Sequence, residues 1–112
     1  MEKENRPWGW YETLQQDVGY KVKRLYLEPE QKISLQYHTL RNEHWIIVNG
    51  NGQLELDEET KEVRSGDYIF ISSGSKHRIT AGINGITIIE IQSGSICEED
   101  DIVRLEDCYG RI

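Results

Sequence analysis

At 112 residues the chain has the length of one domain, and 37% hydrophobic content supports a modest core rather than a large one. Its 29% charged residues and mean hydropathy of -0.66 suit a soluble protein. A net charge of -7 argues against general nucleic-acid binding, though an acidic chain can still carry a local basic pocket for an anionic substrate.

Cys97 and Cys108 are eleven apart, which makes neither a metal knuckle nor a disulfide framework, so reduced thiols are expected. The polar start Met1-Glu2-Lys3-Glu4-Asn5-Arg6 is not a signal peptide, and no apolar run reaches membrane-spanning length. A cytoplasmic location follows as the expectation.

Residues 1–6 are expected to fray, and Arg6-Pro7-Trp8-Gly9-Trp10-Tyr11 to fold as an aromatic lid around a turn. Short strand-like runs follow: 20–27, 32–38, 43–48, 52–56, 61–64, 68–71, 77–81 and 86–92. Breaks rich in Gly, Asn, Asp and Ser separate them, among them Asn49-Gly50-Asn51-Gly52 and 82–85. No helical period is sustained before residue 97. Many short strands with such turns predict an all-β antiparallel sandwich or barrel. Residues 98–112 open on the acidic run 98–101, read as a solvated face. They then read as a helical turn or an extended strap. The expected organisation is one domain: an N-terminal strap (1–12), a barrel (13–96) and a C-terminal strap (97–112).

The stretch Gln36 to Gly50 carries the chemistry. Residues two apart in a strand share a face, so Gln36 and His38 project side by side, about 6–7 Å apart. After a bend, Glu43 opens the next strand and can turn back to the same space. An amide oxygen, an imidazole and a carboxylate, with His77 from far along the chain, suit a divalent transition metal. If Gln36 and His38 line the interior, then Ile33, Leu35 and Tyr37 point outward and need cover. Strand 43–48 is apolar on both faces and is expected to be covered on both. His44 and Trp45 are read as packing. Glu90 sits among isoleucines, where an unpartnered carboxylate is costly, and so reads as a pocket group.

These residues match the cupin signature. Glu30, Gln36, His38, Glu43 and Gly50 hold the spacing of the first cupin motif. Gly66, Ser72, Gly74 and His77 hold that of the second. Glu30, Gln36 and Ser72 replace the usual Gly, His and Pro. Arg6-Pro7-Trp8-Gly9, Glu43-His44-Trp45, Lys76-His77-Arg78, Glu90-Ile91-Gln92-Ser93-Gly94 and the 99–111 segment make the likeness narrower. Together they resemble the C-terminal isomerase domain of type II mannose-6-phosphate isomerases, here as a free-standing module.

The resemblance implies a cupin double-stranded β-helix, or jelly-roll barrel. It implies metal held by Gln36, His38, Glu43 and His77: zinc, with iron, manganese, nickel or cobalt as alternatives. The implied reaction interconverts mannose 6-phosphate and fructose 6-phosphate through a cis-enediol. Glu90 and Lys23 are the candidate catalytic groups. Of Lys23 and Arg24, adjacent on one strand, only one can face inward. Arg24, Arg41, Arg78, Gln92 and Arg111 are candidates to bind the hexose phosphate. A homodimer is expected, with no nucleic-acid or membrane partner. An iron dioxygenase, another sugar isomerase and a non-catalytic sugar-phosphate sensor are the other readings.

Overall fold

The computed structural model describes residues 2–94 and 102–110. Arg111, Cys97 and the acidic run 98–101 lie outside the described residues. Among those described, nine strands form one curled antiparallel sheet: β1 (Glu4–Arg6), β2 (Gly9–Asp17), β3 (Tyr20–Leu27), β4 (Leu35–His38), β5 (Arg41–Leu56), β6 (Glu59–Arg64), β7 (Tyr68–Ile71), β8 (His77–Gly94) and β9 (Ile102–Glu106). No helix among them is long and apolar enough to cross a membrane.

The order β1-β2-β3-β8-β4-β9 forms one path, and β5 pairs with β6, β7 and β8. Two expected breaks prove to be bends inside long strands. Residues 49–52 lie within β5, and residues 82–85 within β8. Gly50 pairs with Ile86 and Gly52 with Ala81, so four residues of β8 are extruded between two successive pairings. An extrusion of this kind twists and curls a paired ribbon without ending it. Gly50 makes the close approach possible: its φ is 83°, and a Cβ there would stand 2.1 Å from the Gly85 carbonyl oxygen. The Leu56–Glu59 hairpin turns through Asp57 and Glu58, both at positive φ, as a tight two-residue connection requires.

The N-terminal segment differs from expectation. It is a hairpin rather than a frayed tail, its Trp8 and Tyr11 packed into the core, and β2 runs unbroken through the expected boundary at residue 12. The C-terminal segment is the extended alternative, with β9 paired to β4.

The interior is layered by register. Across β3, β8 and β5 the inward rows are Lys21–Gln92–Glu43, Lys23–Glu90–Trp45, Leu25–Ile88–Ile47 and Leu27–Ile86–Gly50. Every residue named in them except Gly50 is buried. The lower two rows continue into Leu54, Ile79 and Val63 as an apolar core. The upper two put ionisable groups into the same enclosed space.

The outward face of this region departs from the two-sided cover expected for residues 43–48. Ile46 and Val48 are 40% and 48% exposed, beside Tyr68, Phe70 and Ile91 on neighbouring strands. Conversely, Ile33 is buried, and Leu35 and Tyr37 are half-buried.

Candidate metal centre

Two connections meet at the polar end of the barrel. β4 ends at His38, and after two intervening residues β5 begins at Arg41. The connection into β8 is tied to that bend: Gly74 N–H donates to the His38 carbonyl (2.6 Å), Ser73 Oγ to the Thr39 carbonyl (2.8 Å) and Ser73 N–H to Asn42 Oδ1 (2.7 Å). These bonds hold the start of β8, and so His77, against the start of β5.

Donor atoms of His38, Glu43 and His77 all lie within 4.8 Å of one another, and all three residues are buried. Glu43 Oε2 is 2.9 Å from His38 Nε2, and Glu43 Oε1 is 3.8 Å from His77 Nε2. Gln36 pairs in register with His77 and lines the same cavity, its Oε1 accepting from Ser34 Oγ at 2.7 Å.

The chemistry of these donors fits a cation. His77 Nδ1 lies 3.0 Å from the Ser75 carbonyl, which assigns that nitrogen its proton and leaves a lone pair on Nε2. Nε2 is buried and has no hydrogen-bond partner. A metal-ligating histidine commonly has this arrangement, in which one ring nitrogen is held by an acceptor and the other is free to coordinate. Burial pushes the His77 imidazole below its ordinary pKa, against the pull of Glu43. Burial alone would raise the Glu43 carboxyl. The hydrogen bond from His38 and the charges of His38, His77 and Arg41 outweigh it and hold the group well below the usual carboxylate range. Arg41 already brings positive charge to the same atoms: its Nε donates to Glu43 Oε2 at 3.1 Å, and Nη2 is 3.3 Å from His38 Nε2.

Glu90 stands beside this cluster. Gln92 Nε2 donates to its Oε2 at 2.6 Å, and the indole N–H of Trp45 donates to its Oε1 at 3.1 Å. Burial and then the charge of Glu43 push its carboxyl up to about 7, with Lys23, Gln92 and Arg41 pulling the other way. Lys23 faces inward opposite Glu90, its Nζ 3.9 Å from the centre of the Tyr11 ring.

The enclosed space is about 50 Å³, room for an ion and a water but not for a hexose phosphate without side-chain movement at its mouth. Its cations are Arg6, Lys23, Arg41 and Arg104, and its carboxylates are Glu43 and Glu90. The surplus of positive charge favours an anion, on a chain that is acidic overall.

The other candidate arginines lie elsewhere. Arg24 alternates with Lys23 to the outside and pairs with Glu12. Arg78 follows His77 and so faces away; its Nε donates to the Ile33 carbonyl and Nη2 to the Glu106 carbonyl, both at 3.1 Å, clamping β9 to the barrel. Sequence reasoning did not pick out Arg6, Arg104 or the polar contacts of Trp45. Arg104 could have been found from alternation, since it shares a face of β9 with the half-buried Ile102.

A curled jelly roll with two imidazoles and a carboxylate buried in its polar end defines a cupin with a site that can hold a metal ion. Solved structures share the fold: KdgF from Halomonas sp. (TM-score 0.81, 14% identity, 89% of this chain and 90% of that one) and oxalate decarboxylase from Bacillus subtilis (TM-score 0.83, 17% identity, 93% and 30%). The particular family is narrower. The model for "Mannose-6-phosphate isomerase C-terminal" matches residues 1–107, and the chain belongs to that family.

Its relatives include mannose-1-phosphate guanylyltransferase ManC of Salmonella typhimurium, 39% identical over 96% of this chain and 22% of that protein. The alginate biosynthesis protein AlgA of Pseudomonas aeruginosa is 42% identical over 95% of the chain and 22% of that protein. The xanthan biosynthesis protein XanB of Xanthomonas campestris pv. campestris is 41% identical over 95% and 23%. The chain thus spans less than a quarter of the length of these relatives.

Proposed function

We propose that the chain is a metal-dependent aldose–ketose isomerase that interconverts mannose 6-phosphate and fructose 6-phosphate. The observation that carries this reading is a buried His-Glu-His donor set whose Glu43 lines an enclosed space shared with a carboxyl of pKa near 7 and surplus cations. Family membership supports it.

His38, Glu43 and His77 would hold the metal, with Gln36 as the fourth donor; zinc suits two imidazoles, a carboxylate and an amide oxygen. When bound, the ion supplies Lewis-acid stabilisation of negative charge on the sugar O1 and O2. Glu90 takes the proton from C2 of the aldose and returns it to C1 of the cis-enediol, while the O2 hydroxyl proton is passed to O1. A carboxyl with a pKa near the working pH serves both directions. Lys23 offsets the charge that Glu90 carries before it takes the proton. Gln92 and Trp45 fix its orientation. Arg41, Arg6 and Arg104 anchor the phosphate, whose oxygens match guanidinium donors.

The test is a coupled assay for fructose 6-phosphate on zinc-loaded protein, repeated after chelation and after zinc is restored. Turnover that vanishes with chelation and returns with zinc is the expected result. Full zinc occupancy and mannose 6-phosphate binding with no turnover would replace the isomerase by a sugar-phosphate sensor.

A further inference from the structure

Trp45 does more than fill the core. Its indole N–H lies 3.1 Å from Glu43 Oε1 and 3.1 Å from Glu90 Oε1, so one donor is shared between two carboxylates from different strands. Three-centre bonds of this kind are ordinary in geometry. Their setting here is not: Trp45 is 1% exposed, and Glu43 and Glu90 are equally buried from solvent. Two carboxylates in such a space repel, and a donor between them offsets the repulsion.

The same ring packs edge-on against His77, with centroids 5.8 Å apart and planes at 81°. Trp45 therefore touches two of the three candidate metal donors and the candidate base. With Oε1 of Glu43 engaged by the indole, Oε2 is the oxygen turned toward His38 and Arg41.

We propose that Trp45 is a positioning residue. Its N–H selects the rotation of the Glu43 carboxylate presented to the ion and holds Glu90 within reach of the sugar. The part concerning Glu90 rests on the isomerase reading; the part concerning Glu43 does not.

The test separates the N–H from the ring. Trp45→Phe removes the donor and some volume. Replacing Trp45 by benzothienylalanine, with sulfur in place of N–H, removes the donor and keeps the volume. Zinc affinity, read by competition with a chromophoric chelator, should fall about 10- to 100-fold in both, the usual effect of removing a group that orients a ligand. In the coupled assay kcat should fall and KM for mannose 6-phosphate stay within twofold.

Zinc affinity or kcat at the wild-type level in the benzothienylalanine protein overturns the proposal. So does a loss confined to Trp45→Phe, which would assign the effect to volume. If Trp45→Phe fails to fold, the isosteric protein alone decides. If the wild-type chain has no isomerase activity, that reading has failed separately, and zinc affinity still decides the role of the N–H.

Discussion

Replacing Glu90 with glutamine tests the buried carboxyl through stability, without reference to any reaction. The group ionises near 4.5 in an unfolded chain and near 7 in the fold. Because the folded state keeps the proton longer, stability falls as pH rises through that window. The contribution is fully present below about pH 4.5 and lost once pH passes about 7. A difference of that size corresponds to roughly 3 kcal/mol. Glu90→Gln has no such titration, so the stability difference, variant minus wild type, should grow by about that amount between pH 4.5 and 8. The assay is urea unfolding of chelator-treated protein at half-unit pH steps. Parallel pH profiles for the two proteins would refute the claim that burial and Glu43 raise this carboxyl. Under the proposed isomerase reaction, with this group as base, kcat/KM should rise with pH through the neutral range and Glu90→Gln should abolish turnover.

Glu43→Ala and His77→Ala should each lose bound metal by elemental analysis while keeping the β-sheet circular dichroism signal; wild-type metal content in both would remove the ligand set. Arg104→Gln, which deletes a cavity cation whose Nε is buried without a partner, should raise KM for mannose 6-phosphate at little cost to kcat. A charge-assisted hydrogen bond of about 1.5–3 kcal/mol sets the scale at roughly 10- to 150-fold. Ile88→Ala, at a fully buried position between Leu25 and Ile47, should cost about 2–5 kcal/mol in urea unfolding. The expected homodimer would cover the outward face of Ile46, Val48, Tyr68 and Phe70 rather than Ile33 and Leu35, so Ile46→Glu should convert a dimer to a monomer in analytical ultracentrifugation.

Much of the strand content was legible because turn residues and alternation agree. The runs 20–27 and 68–71 match β3 and β7 in both bounds. β2 was missed for a physical reason: its pairing with β3 shifts between Thr13 and Gln15, and that irregularity breaks the period of two on which a strand is recognised. The glycines at 50, 52, 82 and 85 signalled interruption, and the chain does bend there. Only the facing strand shows that the two bends are one feature, and a sequence read locally does not hold that partner.

The site follows the same logic. Spacing points to His38, Glu43 and His77, and the fold brings them together: His38 closes β4, His77 opens β8 and Glu43 stands third in β5, all at the same end of the barrel. The arginines were harder, because a guanidinium's use depends on which face its strand turns inward. Parity settles two of them: Arg78 follows inward His77, and Arg24 follows inward Lys23, so neither can share the cavity. Alternation puts Arg104 on one face with Ile102, but only the topology brings that face, and Arg6 from the other end of the chain, to the cavity. What unites these cases is the row structure of the interior. Lys21, Lys23, Glu43, Glu90 and Gln92 occupy the inward positions that Leu25, Leu27, Ile47, Ile88 and Ile86 occupy two to four residues further along. Alternation therefore assigns the polar residues to the inside as firmly as the apolar ones. A buried charge must then be matched by another, and here Lys23 faces Glu90, and Arg41 bonds Glu43. A barrel whose apolar rows give way to paired charges on the same inward face has given up core at that end, and the donor set is what stands in its place.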